Sequence, residues 1–135
     1  MNIPKGNTKQ DIKEREKIIS DVYRKWYADH PDKKVYNHSL QDYVNVRYLS
    51  ITETIRHGAK QYKSTLAILQ LNFILRYAKK YGKPKNPKKG VKNQKDFEKM
   101  QELRCHLSNV GDVKLIVGIK KNREHIQYCI TAVRT

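Results

Sequence analysis

The chain has 135 residues, with 29 Lys and Arg against 13 Asp and Glu, and a formal net charge of +16. This length predicts a single domain, residues 1–135, with one modest core. The excess of positive charge predicts a polyanionic partner, and nucleic acid is favoured over an acidic protein. No membrane partner is expected, because no segment combines a basic face with an exposed apolar face. Without a signal peptide or an apolar run of ~20 residues, the expected location is cytoplasmic.

Local motifs exclude several kinds of chemistry. The chain contains no P-loop, GxGxxG, GxSxG or HExxH pattern. Its 5 His and 2 Cys are scattered, so we expect no metal site and no cofactor. The acids are few and dispersed, which argues against a two-metal nuclease. Cys105 and Cys129 are expected to be reduced core residues.

The N-terminal third predicts a helix followed by a small strand pair. Apolar residues at helical spacing predict an amphipathic helix over residues 9–29, which ends before His30-Pro31. Residues 1–8 are expected to be a mobile tail. The core is expected to begin at about residue 33, with a strand at 43–48 and a partner at 34–36.

The middle of the chain predicts two further helices. Ser50 and Glu53 have capping-box spacing, so we expect a helix at 51–60 that carries His57. A second helix is predicted from residue 64 or 65 to residue 80. It is apolar on nearly every side, which is typical of a buried helix. Gly82 and Pro84 mark its end.

A basic loop follows at about residues 82–96, and it is expected to be solvated and mobile. Residues 79–95 hold eight lysines and no acid. The lysines could follow a phosphate backbone, or they could simply make a linker soluble. The candidate nucleic-acid-binding residues of the loop are Lys83, Lys85, Lys88, Lys89 and Lys92.

The C-terminal third predicts an antiparallel sheet with strands at about 98–107, 113–119 and 126–133. Alternation places Ile126, Tyr128, Ile130 and Ala132 on one face of the last strand and Gln127, Cys129 and Thr131 on the other. The predicted fold class is therefore α+β, with N-terminal helices, one of them long and buried, packed on a C-terminal antiparallel sheet.

A family resemblance covers about residues 44–133. The resemblance is carried by four segments: Ile55-Arg56-His57 leading to Lys63, the helical stretch 66–78, Val113–Val117 and Tyr128–Ala132. The chain resembles the nuclease superfamily that groups barnase, EndoU, colicin-type tRNA nucleases and RelE-like toxins. More narrowly, it resembles the small domains of that fold found in large polyvalent proteins of phages and conjugative elements.

The resemblance implies metal-independent RNA cleavage through a 2′,3′-cyclic phosphate. The implied partner is RNA, with tRNA as one candidate. By position, His57 would act as general base or acid, since an imidazole exchanges protons near neutral pH. Lys63 and Lys114 would hold the phosphate charge, and Thr131 would supply a strand hydroxyl. Arg104 is a further phosphate-binding candidate.

Two other functions remain open from the sequence. The first is a non-enzymatic nucleic-acid-binding accessory module that uses the basic loop. The second is a protein-interaction module whose positive charge meets an acidic partner or antitoxin. Each candidate residue also has an ordinary explanation, because His57 could be a solvated helix residue and Thr131 simply a strand former.

Overall fold

A computed structural model describes residues 2–133. In chain order the elements are α1 (Lys9–Asp29), β1 (Lys34–Asn37), β2 (Asp42–Asn45), α2 (Tyr48–Gly58), α3 (Tyr62–Ile68), α4 (Leu71–Tyr77), β3 (Lys79–Lys80), a 3-10 turn (Lys92–Gln94), β4 (Lys99–Leu107), β5 (Gly111–Ile119) and β6 (His125–Ala132). The strands form one six-stranded sheet in the order β1-β2-β6-β5-β4-β3.

This architecture confirms the predicted α+β class, with one addition. Four strand pairs are antiparallel, but β2 and β6 pair in parallel through Val44–His125 and Asn45–Ile126. The sheet is therefore mixed. The four helices that the described residues form pack their apolar side chains, together with one face of the sheet, into the main core. No helix within residues 2–133 is long and apolar enough to cross a bilayer.

Helix α1 has the limits that its apolar spacing predicts. Thr8 caps it by accepting a hydrogen bond from the Asp11 backbone N–H at 3.0 Å. Ile19, Tyr23 and Trp26 are buried in the main core, so the helix is an integral layer of the domain. Burial of each of these side chains is expected to stabilise the docked helix by about 1.5–3 kcal/mol.

The segment before α1 is tied down, contrary to the expectation of a free tail. Arg15 is fully buried, and its Nη1 donates to the carbonyl oxygens of Pro4 at 2.8 Å and Gly6 at 2.6 Å. Its Nε donates to the Ala59 carbonyl at the end of α2, at 2.7 Å. One guanidinium thus joins the N-terminal segment, α1 and α2.

The predicted single long helix at 64–80 is wrong in one respect, because it is two helices. The chain turns at Leu69 and Gln70, whose N–H groups donate to Leu66 and Ala67 three residues back. Helix α3 packs on β6, whereas α4 packs on β1. Phe73 and Tyr77 of α4 are exposed, so this part of the predicted helix is not buried on every side. A nearly continuous apolar run carries no periodicity that could have marked this turn.

Helix α2 begins at Tyr48, and the predicted capping box is wrong. Ser50 lies inside the first turn, where its hydroxyl accepts from the Arg47 N–H at 2.9 Å and donates to the Gln127 carbonyl of β6. Strand β2 pairs only with the first two residues of β6. Beyond that point, two serines therefore supply hydrogen-bond partners for the β6 backbone. The Ser50 hydroxyl donates to the Gln127 carbonyl, and the Ser64 hydroxyl accepts from the Ala132 N–H.

A β-bulge in β6 changes which faces its residues occupy. Ile116 pairs with Cys129 but Val117 pairs with Gln127, so Tyr128 is an extra residue. Gln127 consequently lies in the core, fully buried and accepting a hydrogen bond from Tyr23 Oη at 2.7 Å. The predicted alternation is thus wrong for Ile126, Tyr128 and Gln127. Ile126 and Tyr128 join a second apolar cluster, with Phe97, Met100 and Cys129.

Candidate active site

A cleft of about 670 Å³ lies between α2, the outer faces of β4–β6 and the basic loop. Three residues predicted to act in catalysis line it, and each comes from a different element: His57 from α2, Lys114 from β5 and Thr131 from β6. Lys114 and Thr131 are direct partners across the antiparallel β5–β6 pair. Lys83, Lys85 and Lys88 of the basic loop form the opposite wall.

The remaining candidates lie elsewhere. Lys63 is exposed on α3 and does not line the cleft. Arg104 donates to Glu102 at 2.6 Å, and Glu102 itself lines the cleft. Lys89 and Lys92 line a neighbouring depression of about 480 Å³, which shares Lys88 with the cleft.

The basic loop is held across the cleft by backbone and side-chain contacts. Lys85 and Met100 exchange two backbone hydrogen bonds of 2.8 Å. The buried Gln94 side chain accepts from the Lys88 N–H at 2.9 Å. These contacts fix the direction in which the loop lysines face the sheet.

A carboxylate–imidazole pair lies at one side of the cleft. Glu53 is only 2% exposed, and its Oε2 is 3.3 Å from His57 Nε2. Its Oε1 accepts hydrogen bonds from Asn93 Nδ2 at 2.5 Å and Tyr128 Oη at 3.3 Å. Glu53 Oε2 is buried and has no hydrogen-bond partner within residues 2–133, so it meets His57 at ion-pair distance and not in a hydrogen bond. The carboxylate is therefore positioned to orient the imidazole.

His57 lines the cleft and is partly accessible. Its side chain is 43% exposed, and its Nδ1 has no hydrogen-bond partner in the described part of the chain. A histidine held at one nitrogen by a buried carboxylate and open at the other has the arrangement of a general acid or base.

Two β6 side chains complete the floor of the cleft beside this pair. Burial raises the pKa of Tyr128, and the nearby Glu53 raises it further, so its hydroxyl stays protonated. Burial also raises the pKa of the Cys129 thiol to about 12, and Glu53 again adds to the effect. A thiol held in this form is a poor nucleophile, so Cys129 is a packing residue.

The cleft is strongly electropositive. Arg56 lines it together with the four lysines already described. No acidic side chain among residues 2–133 lies within 4.0 Å of the charged ends of Arg56, Lys83, Lys85, Lys88 or Lys114. Cations gathered in a concave site without acidic partners favour binding of an anionic group such as phosphate.

Sequence reasoning missed Tyr128 and Asn93, and it favoured a capping role for Glu53 over pairing with His57. The spacing of four residues between Glu53 and His57 was the available signal, since such residues are neighbours on a helix. Tyr128 had no comparable signal, because only the bulge turns it toward the cleft.

No three His, Cys, Asp or Glu side chains within residues 2–133 are grouped so that they could hold a metal ion. Comparison of the chain with protein-family models, curated proteins and solved structures finds no match.

Proposed function

We propose that this protein is a metal-independent endoribonuclease of a mobile-element or toxin-like system, which cleaves RNA through a 2′,3′-cyclic phosphate. The main support is the convergence of His57, Lys114 and Thr131 in one cleft, with His57 Nε2 3.3 Å from the buried Glu53. This set can supply the proton transfer and charge stabilisation that the reaction needs.

In the proposed mechanism, His57 acts through its open nitrogen as the general base. It takes the proton of the ribose 2′-hydroxyl, and Glu53 stabilises the resulting imidazolium. The 2′-oxygen attacks phosphorus and the bond to the 5′-oxygen breaks. The 5′-oxygen leaves as a hydroxyl, with a proton from solvent and a hydrogen bond from Thr131. The products are a 2′,3′-cyclic phosphate and a free 5′-hydroxyl.

The cations of the cleft stabilise the negative charge that develops on the phosphorane. Lys114 lies beside Thr131 on the sheet, so its ammonium can reach the same phosphate as the Thr131 hydroxyl. Arg56 lies one residue before His57 on the cleft side of α2. The lysines of the basic loop then bind flanking phosphates and contribute affinity that falls with salt.

The direct test is incubation of total RNA and of a tRNA pool with wild-type protein and with His57→Ala, both in EDTA. Cleavage by wild type alone, with termini that carry cyclic phosphate, is the expected result. His106→Ala is the matched control, because His106 is an exposed histidine paired with Asp112 and lies outside the cleft. Cleavage by both wild type and His57→Ala would overturn the assigned role of His57.

A second candidate function is nucleic-acid binding without turnover. The unpaired lysines of the cleft favour it as strongly as they favour catalysis. Salt-sensitive RNA binding together with intact RNA in every reaction would select this function. Absence of both binding and cleavage would select the acidic protein partner.

A further inference from the structure

The geometry points to a stacking subsite for one unpaired RNA base on Tyr81, at the edge of the cleft, so that the substrate is single-stranded there. Tyr81 lines the cleft, yet its side chain is 53% exposed. An exposed aromatic ring beside lysines is the combination by which proteins hold single-stranded nucleic acid. The inference rests on the proposed function for the nature of the ligand.

The ring of Tyr81 is held in place. The guanidinium carbon of Arg104 lies 3.8 Å from the ring centroid and covers one face. Arg104 is fixed in turn, because its Nε donates to Glu102 at 2.6 Å. The backbone N–H of Tyr81 donates to the Glu102 carbonyl at 2.9 Å. Because Arg104 covers one face of a residue that is 53% exposed, the inferred stacking position for a base is the second face of the ring.

The surroundings match a nucleotide rather than an apolar ligand. Lys83 and Lys85 follow Tyr81 in the chain and line the same cleft, where their ammonium groups can pair with the phosphates that flank a stacked base. A cleft of about 670 Å³ is of the size that takes small ligands, so it can hold an unpaired nucleotide. Unpaired bases stacked on aromatic side chains are also the usual form of RNA recognition.

The test measures RNA affinity in a His57→Ala background, where the proposed cleavage cannot occur. The probe is a short single-stranded RNA that carries 2-aminopurine. Tyr81→Leu is expected to weaken binding by roughly 5- to 150-fold, the range that corresponds to loss of one base–aromatic stack. Tyr81→Phe keeps the ring and the Arg104 contact, so its affinity should equal that of the background protein.

The salt dependence separates stacking from charge. Tyr81→Leu should leave the slope of log affinity against log salt unchanged, whereas Lys83→Gln should reduce it by about 0.7. Tyr48→Leu is the matched control, since Tyr48 is 73% exposed but outside the cleft. A duplex of the same sequence should bind equally to the background protein and to Tyr81→Leu.

The outcomes distinguish the subsite from the nuclease. Equal binding of single-stranded RNA by Tyr81→Leu and the background protein would overturn the subsite, whatever the cleavage assay gives. Loss of binding in Tyr81→Leu, with no cleavage by wild type, would keep the subsite and reject the nuclease. Preference for the duplex, or binding only to an acidic protein, would also overturn the subsite.

Discussion

Replacing Glu53 by Gln is expected to reduce RNA cleavage by roughly 10²- to 10⁴-fold while leaving the free energy of unfolding within about 1 kcal/mol of wild type. Gln keeps the shape of Glu but removes the negative charge that lies 3.3 Å from the His57 imidazole. The remaining partner, His57, is 43% exposed, so water can replace the lost contact. No buried charge is left without a partner.

Removing the other member of the pair, by His57→Ala, should destabilise the protein. At 3.3 Å and an effective dielectric constant of ~20, two unit charges attract by about 5 kcal/mol, which is an upper limit. The exposure of His57 reduces this limit substantially. The variant leaves a carboxylate that is 2% exposed with only Asn93 and Tyr128 as hydrogen-bond partners. We expect a loss of about 1–3 kcal/mol of unfolding free energy.

Urea unfolding followed by fluorescence of the single Trp, buried Trp26, measures stability, and initial rates on one RNA measure activity. Glu124→Gln is the matched control, because Glu124 is also paired with a cation, Arg47 at 3.0 Å, but on the surface. Its activity should be unchanged and its stability within about 0.5 kcal/mol of wild type. Full activity in Glu53→Gln, or destabilisation as large as in His57→Ala, would refute the reasoning.

Three further predictions concern other parts of the molecule. Gly118→Ala should cost about 1–3 kcal/mol in urea unfolding, because an added Cβ would lie 2.6 Å from the Phe97 ring; unchanged stability would show that the ring is free to move. Burial raises the pKa of Cys129 from 9.0 to about 12, so its contribution to stability is complete below pH 9 and is lost as pH rises toward 12. Between pH 8 and 10.5 this loss amounts to roughly 2 kcal/mol, and Cys129→Ala should lack it in unfolding curves at the two pH values. If the proposed nuclease function holds, Lys114→Gln should lower the cleavage rate at saturating RNA more than it lowers affinity, and an effect on affinity alone would contradict the proposed role of Lys114 at the phosphorane.

The parts of the fold that follow from local patterns were predictable from the sequence. Helical spacing gave α1, and runs of β-branched residues with turn residues between them gave β4, β5 and β6. The parallel pairing of β2 with β6 was not predictable, because it joins Val44 to His125 across most of the chain. The break between α3 and α4 depends on packing against two different strands, which the composition of the run does not encode.

The candidate site shows the same division. The chemical types of His57, Lys114 and Thr131 were readable, and the structure brings them to one cleft. The spacing that favoured a cap at Ser50 and Glu53 led to the wrong partner for Glu53. In the folded chain Ser50 meets a strand carbonyl because α2 docks on β6, whereas Glu53 meets the imidazole one turn further along the same helix.

The bulge at Tyr128 also has an evolutionary consequence. Removing that one residue would restore strict alternation along β6, with Gln127, Ile130 and Ala132 still facing the core and Cys129 and Thr131 still facing the cleft. The core face of β6 therefore does not depend on Tyr128, although Glu53 would lose a hydrogen-bond donor and the second apolar cluster would lose an aromatic ring. A single codon deletion would thus be expected to keep the core side of the strand and to change only the cleft side, where Glu53 and His57 meet.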